Sequence, residues 1–270
     1  MTTDRARPAT PPVAAAGSRV DAGPKTQSGP LGRVDPKQPK AKQPTPRPPL
    51  GLATGALLVG VAGMVASLLV LGFIANGVRD QEAFALDTWA TPFLHNIQSP
   101  TFNALMNGLT TMGATLIVLP VLVVLGGGLL VVRRYGAFTF LLVSLGGSML
   151  IDSIMKLIFE RPRPKLDYAA VLPDYSFPSG HAMNGVAFYV AIALIFWSVF
   201  GRKVGVISLI SASVLAFGIG VSRIYLGYHY LTDVVGGWLA GITWLLIVGA
   251  VFRLRPNVWT WGRIRRASSG

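Results

Sequence analysis

Long apolar segments alternate with short polar ones between residues 50 and 252. Each apolar segment has about 20 residues or more, the length that a helix needs to cross a bilayer. The pattern predicts six spans, at about residues 50–75, 105–132, 136–159, 181–200, 204–222 and 229–252. Residues 76–104 are mixed and polar, and we expect a loop there with a short interfacial helix around 81–95. The predicted fold class is therefore all-α, a polytopic membrane protein with six transmembrane helices.

Composition supports a membrane protein. The chain is 51% hydrophobic and 13% charged, whereas a soluble domain carries about 25% charged residues. Cysteine is absent, which excludes disulfides and cysteine-ligated metals. The net charge of +13 would favour nucleic acid as a partner of a soluble protein. Here most of the basic residues flank the apolar segments, so we expect a lipid bilayer as the partner and no nucleic acid.

The two ends of the chain differ from its centre. Residues 1–49 contain 11 of the 19 prolines, many basic residues and no apolar run. We interpret them as a disordered, basic, proline-rich cytoplasmic tail. Residues 253–270 are also basic and are predicted to be a second cytoplasmic tail. The predicted membrane domain is residues 50–252.

The distribution of charge predicts the orientation of the spans. Both tails and the short connections at 133–134 and 202–203 are basic. Because positively charged segments stay on the cytoplasmic side, both termini are predicted to be cytoplasmic in a multi-pass cell-membrane protein. Residues 160–180 and 223–228 then share the extracytoplasmic face.

Three cations are predicted to meet at that face, namely Lys156, Arg163 and Arg223. Mutual repulsion makes such a cluster unfavourable unless an anion completes it, and arginine presents a planar fork that suits phosphate oxygens. Ser179 and Gly180 precede a predicted helix start, where backbone N–H groups favour phosphate. We therefore predict a phosphate-binding group made of Lys156, Arg163, Ser179, Gly180 and Arg223.

Two histidines and a carboxylate supply the chemistry. His229 and Asp233 are four residues apart, which on one helix would let the carboxylate orient the ring and leave the other nitrogen as a nucleophile. His181 could then protonate the leaving oxygen. The predicted reaction is phosphoryl transfer through a phosphohistidine, with no metal and no cofactor. The alternative is a zinc site on the two histidines and Asp233, which the nearby cations disfavour.

Three motifs carry a family resemblance. They are Lys156 followed after six residues by Arg163-Pro164, then Pro178-Ser179-Gly180-His181, then Ser222-Arg223 followed by His229 and Asp233. Their order and spacing resemble the type-2 phosphatidic acid phosphatase superfamily, the lipid phosphate phosphatases related to vanadium haloperoxidases. The resemblance extends over about residues 50–252.

The resemblance implies a metal-independent lipid phosphatase or diphosphatase with its site at the extracytoplasmic face. It implies His229 as nucleophile, Asp233 as its partner and His181 as general acid, with the five predicted phosphate ligands holding the substrate. By analogy with bacterial relatives, a polyprenyl diphosphate such as undecaprenyl diphosphate is the first expected substrate, before phosphatidylglycerol phosphate and phosphatidic acid. Two alternatives stay open: a phosphotransferase with a lipid or sugar acceptor, and a non-catalytic lipid-binding membrane protein. The oligomeric state is not predicted.

Overall fold

The computed structural model describes residues 50–82, 84–169 and 172–254. The predicted tail at 1–49 and nearly all of the tail at 253–270 lie outside these residues. Within the described part of the chain there are nine α-helices and no strand. They are α1 Leu50–Arg79, α2 Ala85–Asn96, α3 Pro100–Gly113, α4 Thr115–Val131, α5 Tyr135–Phe159, α6 Gly180–Gly185, α7 Ala191–Phe200, α8 Arg202–Tyr225 and α9 Leu231–Leu254.

The long helices have the length and apolar character of membrane spans. Five qualify directly: Leu58–Arg79, Tyr135–Phe159, Gly180–Phe200, Arg202–Tyr225 and Leu231–Phe252. The pair α3 and α4 gives a sixth if it is counted as one bent span. Large apolar side chains point outward all along these helices; Val59 is 74% exposed and Leu116 is 83% exposed. A surface of this kind suits lipid contact, and the predicted all-α membrane fold is confirmed.

The second span differs from the prediction of one helix over 105–132. It begins earlier, because Ser99 caps α3 by accepting a hydrogen bond from the Phe102 N–H at 3.3 Å and Pro100 occupies the first turn. It then breaks at Ala114, where the backbone is extended, and α4 continues at an angle of 51°. A methyl group on Gly113 would lie 2.6 Å from Ile219 and 3.1 Å from His181. The break therefore brings the end of α3 directly against the predicted general acid.

The fourth span begins where the sequence predicted. Ser179 precedes α6, a π-helical turn at Val186–Val190 follows, and α7 completes the span to Phe200. The Phe177–Pro178 peptide bond before it is cis. Buried side chains of α5, the π turn and α9, among them Phe140, Leu145, Phe188 and Leu245, form the main core.

Glycines on α9 allow α6 to approach it closely. A methyl group on Gly237 would lie 2.6 Å from the Ser179 carbonyl oxygen, and one on Gly241 would lie 2.8 Å from the Met183 carbonyl oxygen. Backbone therefore packs directly on backbone at these two positions. The Ser179 N–H also donates to the Asp233 carbonyl at 2.9 Å. This packing holds the second motif against the third.

Candidate active site

Lys156 and Arg163 are brought together by a third residue that sequence reasoning did not include. Lys156, in the last turn of α5, places its Nζ 2.9 Å from Asp174 Oδ2. Arg163 donates from Nη2 to Asp174 Oδ1 at 2.7 Å and from Nε to the same oxygen at 3.1 Å. The anion that the predicted cation cluster requires is thus supplied by the chain itself. Lys156 also lies 3.6 Å from Asp152 Oδ2, one helical turn earlier on α5.

The charge of Asp174 is strongly stabilised. Partial burial alone would raise the pKa of its carboxyl group, but hydrogen bonds and charge from Lys156 and then from Arg163 lower that pKa to about 2. Asp174 is therefore an anion at any pH suited to the protein. Its side chain is 47% exposed, so its carboxylate contacts Lys156 and Arg163 from the solvent side.

Arg163 also touches the predicted nucleophile. Its Nη1 donates to the Tyr228 carbonyl at 2.7 Å and lies 3.1 Å from His229 Nε2. A guanidinium group can only donate hydrogen bonds. His229 Nε2 must therefore be the unprotonated, accepting nitrogen in this arrangement, and the proton of the neutral ring is on Nδ1, the nitrogen that faces Asp233.

His229 and Asp233 do not share a helix, which corrects the sequence-based geometry. Helix α9 begins at Leu231, so His229 lies in the connection before it. The pair still meets, with His229 Nδ1 3.4 Å from Asp233 Oδ2. That contact is longer than an ordinary hydrogen bond, and Nδ1 is buried without a better partner among the described residues. Catalytic hydrogen bonds are often long before substrate binds.

The environment keeps His229 neutral. Burial lowers the pKa of its imidazole, the Asp233 carboxylate raises it, and the charges of Arg163 and Arg223 lower it again, to about 4 overall. The ring is 2% exposed. A neutral imidazole with an unprotonated Nε2 is the form that can act as a nucleophile.

Asp233 has a second ionic partner, Arg161, which sequence reasoning missed. Arg161 Nη1 donates to Asp233 Oδ1 at 2.5 Å, and Arg161 Nη2 donates to Asp87 Oδ2 at 2.8 Å. Asp87 lies in α2, which the sequence treated only as an interfacial helix. The signal in the sequence was weak. Arg161 is one of several basic residues in the run from Glu160 to Lys165, and Asp87 belongs to no recognised motif.

Arg223 is in the last turn of α8 rather than in the following turn. It donates from Nη1 to Thr110 Oγ1 at 2.7 Å, and its guanidinium lies 4.2 Å from the centre of the Tyr228 ring. Its Nε is buried without a partner in the described part of the chain. Thr110 belongs to α3, the helix that ends at the break at Ala114. The placement of α3 therefore also helps to position the Arg223 guanidinium.

His181 lies on α6 against Gly113. Four groups act on it electrostatically, namely Arg223, His229, Lys156 and Arg163. The fold therefore brings His181 within electrostatic reach of His229 and of the three cations that are predicted to bind phosphate.

Ser179 and Gly180 lie at the start of α6. The Ser179 N–H is already bound to the Asp233 carbonyl, while its Oγ is buried and has no partner among the described residues. A methyl group on Gly180 would lie 2.6 Å from Asp152 Oδ2. A carboxylate thus stands beside this helix start, a position that favours negative charge.

No group of three or more His, Asp or Glu side chains in residues 50–82, 84–169 and 172–254 is arranged to hold a metal ion. The carboxylate that the zinc alternative requires is engaged by Arg161 and by the Tyr230 N–H, which donates to Asp233 Oδ2 at 2.9 Å. The zinc ligand set is therefore not assembled in the described residues.

Comparison with known proteins identifies the family of the chain. Residues 137–257 match the sequence profile of the PAP2 superfamily. Phosphatidylglycerophosphatase B of Bacillus subtilis (strain 168) is 36% identical over 156 residues, which are 56% of this chain and 76% of that protein. The chain belongs to the PAP2 superfamily.

Two further PAP2 comparisons bear on fold and function. The crystal structure of the first transmembrane PAP2-type phosphatidylglycerolphosphate phosphatase from Bacillus subtilis matches with a TM-score of 0.65 and 30% identity, covering 71% of this chain and 96% of that one. The undecaprenyl-diphosphatase of Sulfolobus acidocaldarius is 28% identical over 66% of this chain and 83% of that protein. The sequence-based prediction of a membrane-embedded PAP2 lipid phosphatase, a hydrolase of phosphate esters, is confirmed.

Proposed function

We propose that this PAP2 protein hydrolyses a phosphomonoester or diphosphate of a membrane lipid through a phosphohistidine formed on His229. One observation carries the proposal. The Arg163 guanidinium donates to the Asp174 carboxylate from Nε and Nη2, and its Nη1 lies 3.1 Å from His229 Nε2. An oxyanion held by Arg163 is therefore next to the nitrogen that would attack it.

The phosphate is proposed to replace the Asp174 carboxylate between Lys156 and Arg163. Both groups bind through oxygen, and a phosphate brings more negative charge and a third equatorial oxygen. Arg223 Nε and Ser179 Oγ are buried, have no partner among the described residues, and are donors suited to those further oxygens. We keep Gly180 in this group because it is the first residue of α6, where backbone N–H groups favour phosphate.

The chemical step follows from the histidine tautomer. His229 Nε2 attacks phosphorus, a P–N bond forms, and the P–O bond to the lipid breaks. His181 gives its proton to the departing oxygen. The imidazolium formed on His229 is stabilised by Asp233. Water then attacks the phosphohistidine and gives a proton back to His181, the P–N bond to His229 breaks and phosphate leaves. These residues supply binding, nucleophile and acid without a metal or cofactor.

The substrate class follows from the position of the site in the bundle. Lys156 is in the last turn of α5, His229 precedes α9, and the helices around them expose apolar side chains. A lipid phosphate at headgroup depth could reach this end of the bundle while its tail stays in the bilayer. The names of the relatives point to phosphatidylglycerol phosphate and to undecaprenyl diphosphate, so these two lipids lead the list of proposed substrates. Phosphatidic acid is third.

We propose the orientation of the protein in the membrane from the residues at the opposite ends of helices α5 and α8. Arg202 begins α8 and Arg223 lies in its last turn, a separation of about 32 Å along a helix. The Arg133-Arg134 pair similarly precedes α5, whose last turn holds Lys156. The basic connections are thus opposite the site. With the positive-inside rule this favours cytoplasmic termini and an extracytoplasmic site in the cell membrane, with residues 50–252 as the membrane domain between two basic tails.

The test is phosphate release by the purified protein in detergent with EDTA. The panel holds phosphatidylglycerol phosphate, undecaprenyl diphosphate and phosphatidic acid, and His229→Ala is the control. We expect wild type alone to release phosphate, with the relative rates identifying the preferred lipid. Folded wild type that releases none would contradict the proposal. Transfer of the phosphate to an added lipid or sugar acceptor, with no free phosphate released, would instead show a phosphotransferase.

A further inference from the structure

We propose that Arg161 and Asp87 are positioning residues that fix the orientation and basicity of Asp233, and through it the tautomer of His229. The inference rests on the proposed function of His229 as nucleophile. It assigns a role to an arginine that lies within the spacing of the first motif without being one of its defining residues, and to an aspartate of α2. The result is a chain of contacts from Asp87 through Arg161 and Asp233 to His229.

Arg161 connects two carboxylates that are buried in the fold. Its Nη1 donates to Asp233 Oδ1 at 2.5 Å, and its Nη2 donates to Asp87 Oδ2 at 2.8 Å. The Asp233 side chain is fully buried and that of Asp87 is 5% exposed. Buried ion pairs are weak evidence for stability, because desolvation offsets much of their attraction. A costly group maintained beside the nucleophile is better explained by its effect on that nucleophile.

The two oxygens of Asp233 have separate partners. Oδ1 accepts from Arg161, whereas Oδ2 accepts from the Tyr230 N–H at 2.9 Å and faces His229 Nδ1 at 3.4 Å. With both oxygens engaged, the carboxylate cannot rotate away from the imidazole. The same contacts withdraw electron density from it, which limits how strongly it attracts the Nδ1 proton.

Asp87 in turn holds Arg161 in place. Its Oδ1 accepts from the Thr232 N–H at 2.8 Å, and its Oδ2 accepts from Thr232 Oγ1 at 2.6 Å as well as from Arg161. The Arg161 guanidinium also lies 4.2 Å from the centre of the Tyr230 ring, a cation–π contact. Helix α2 is thereby attached to the first turn of α9, next to the His229–Asp233 pair.

The charge of Arg161 should appear in the pH dependence of the reaction. The titratable and charged groups that act on His229 are Asp233 of α9, Arg163 of the connection between α5 and α6, Arg223 of α8 and His181 of α6. Arg161 acts on this set through Asp233. Without its positive charge, the carboxylate becomes more basic and stabilises protonated His229. The nucleophile is then lost to protonation at a higher pH.

The experiment compares Arg161→Gln with Lys165→Gln in the full-length protein, using the lipid that wild type hydrolyses. Lys165 is an exposed cation of the same segment. Lys165 and Arg161 both line a cavity of about 680 Å³. We expect Arg161→Gln to lower kcat roughly 10- to 100-fold with little change in KM. We also expect the acid limb of kcat/KM to move upward by about one pH unit or more. Lys165→Gln should match wild type in both.

Asp87→Asn distinguishes positioning from a general loss of structure. It leaves the charge of Arg161 beside Asp233, so we expect a lower kcat without an upward move of the acid limb. Arg161 also lines the cavity, which gives small cations access to its position. Millimolar methylguanidinium should therefore restore part of the activity of Arg161→Ala and have no effect on His229→Ala.

Each outcome bears on one proposal. Folded Arg161→Gln with the wild-type acid limb would overturn the inference while the proposed function stands. An equal upward shift in Asp87→Asn would also overturn it. Inactive wild type would instead contradict the proposed function. If Arg161→Gln does not fold, the inference is decided by Asp87→Asn and by methylguanidinium rescue of Arg161→Ala.

Discussion

Asp174 Oδ2 lies 2.9 Å from Lys156 Nζ, and the other oxygen of the same carboxylate lies 2.7 Å from Arg163 Nη2. The two cations proposed to hold the substrate phosphate are thus already bridged by an anion of the chain. A phosphate that binds between them has to displace that carboxylate. Asp174 is half exposed and lies in the connection before α6, so displacement would not require a helix to move.

Removal of the Asp174 charge should favour substrate binding. In Asp174→Asn the phosphate no longer competes with a carboxylate. We expect KM to fall roughly threefold to tenfold, the range that corresponds to an exposed ion pair of about 1 kcal/mol. Steady-state kinetics with the preferred lipid would measure it. Asp167→Asn, an exposed aspartate of the same segment, is the matched control and should leave KM unchanged. A raised KM in Asp174→Asn would show that Asp174 instead helps to arrange the cations for substrate.

Asp233→Asn and His229→Ala should fail in different ways. His229→Ala removes the proposed nucleophile and should abolish turnover. Asp233→Asn keeps the nucleophile but no longer holds the Nδ1 proton, and we expect kcat to fall by about three to four orders of magnitude. Rapid quench with labelled substrate would separate them. A slowly forming, alkali-stable phosphoenzyme is expected in Asp233→Asn and none in His229→Ala. Phosphoenzyme in His229→Ala would place the nucleophile elsewhere.

Stability should decrease as the pH falls. The pKa of His229 is about 4 in the folded protein, below the ordinary value of 6.5. Between these values the unfolded chain binds a proton that the folded chain does not, so His229 favours folding above about pH 6.5 and this contribution is lost toward pH 4. The difference amounts to roughly 3 kcal/mol. Thermal unfolding in detergent should show a weaker pH dependence in His229→Gln than in wild type. Equal dependences would contradict the assigned burial of the ring.

Two glycines on α9 offer a paired test of the α6 packing. A methyl group at Gly237 would meet the Ser179 carbonyl oxygen at 2.6 Å, whereas no atom of the described residues lies within 4 Å of one at Gly249. Gly237→Ala should destabilise the protein by about 1–3 kcal/mol through overpacking and reduce activity by moving Ser179. Gly249→Ala should be neutral or slightly stabilising, because alanine is the better helix former. Thermal unfolding and turnover of both variants would decide; a neutral Gly237→Ala would refute the close packing.

Vanadate should inhibit, because its five-coordinate form resembles phosphate at the transition state. Arg163→Lys loses the planar fork that contacts both Asp174 and His229, so we expect its inhibition constant for vanadate to rise about tenfold or more. Arg79 is an exposed cation at the end of α1. The control variant Arg79→Lys should have the same inhibition constant for vanadate as wild type. Equal inhibition constants in all three proteins would show that Arg163 does not hold the oxyanion.

Much of this protein was determined by local properties of the sequence. Apolar segments of spanning length specify membrane helices whatever their partners, and the prediction of an all-α membrane fold was confirmed. The spacing of Lys156, Arg163, His181 and His229 was also sufficient to indicate the superfamily, since each motif lies at the end of a predicted span. The roles proposed for the individual residues remain predictions.

Tertiary structure decided what fills and supports the site. The break at Ala114 places Gly113 against Ile219 and His181, which hydropathy does not show. The pairing of Asp174 with Lys156 and of Arg161 with Asp87 and Asp233 joins residues that are 18 to 74 positions apart. Hydrophobic periodicity is a property of neighbours along the chain. The partner of a charge depends instead on which side chains the folded helices bring within hydrogen-bond distance.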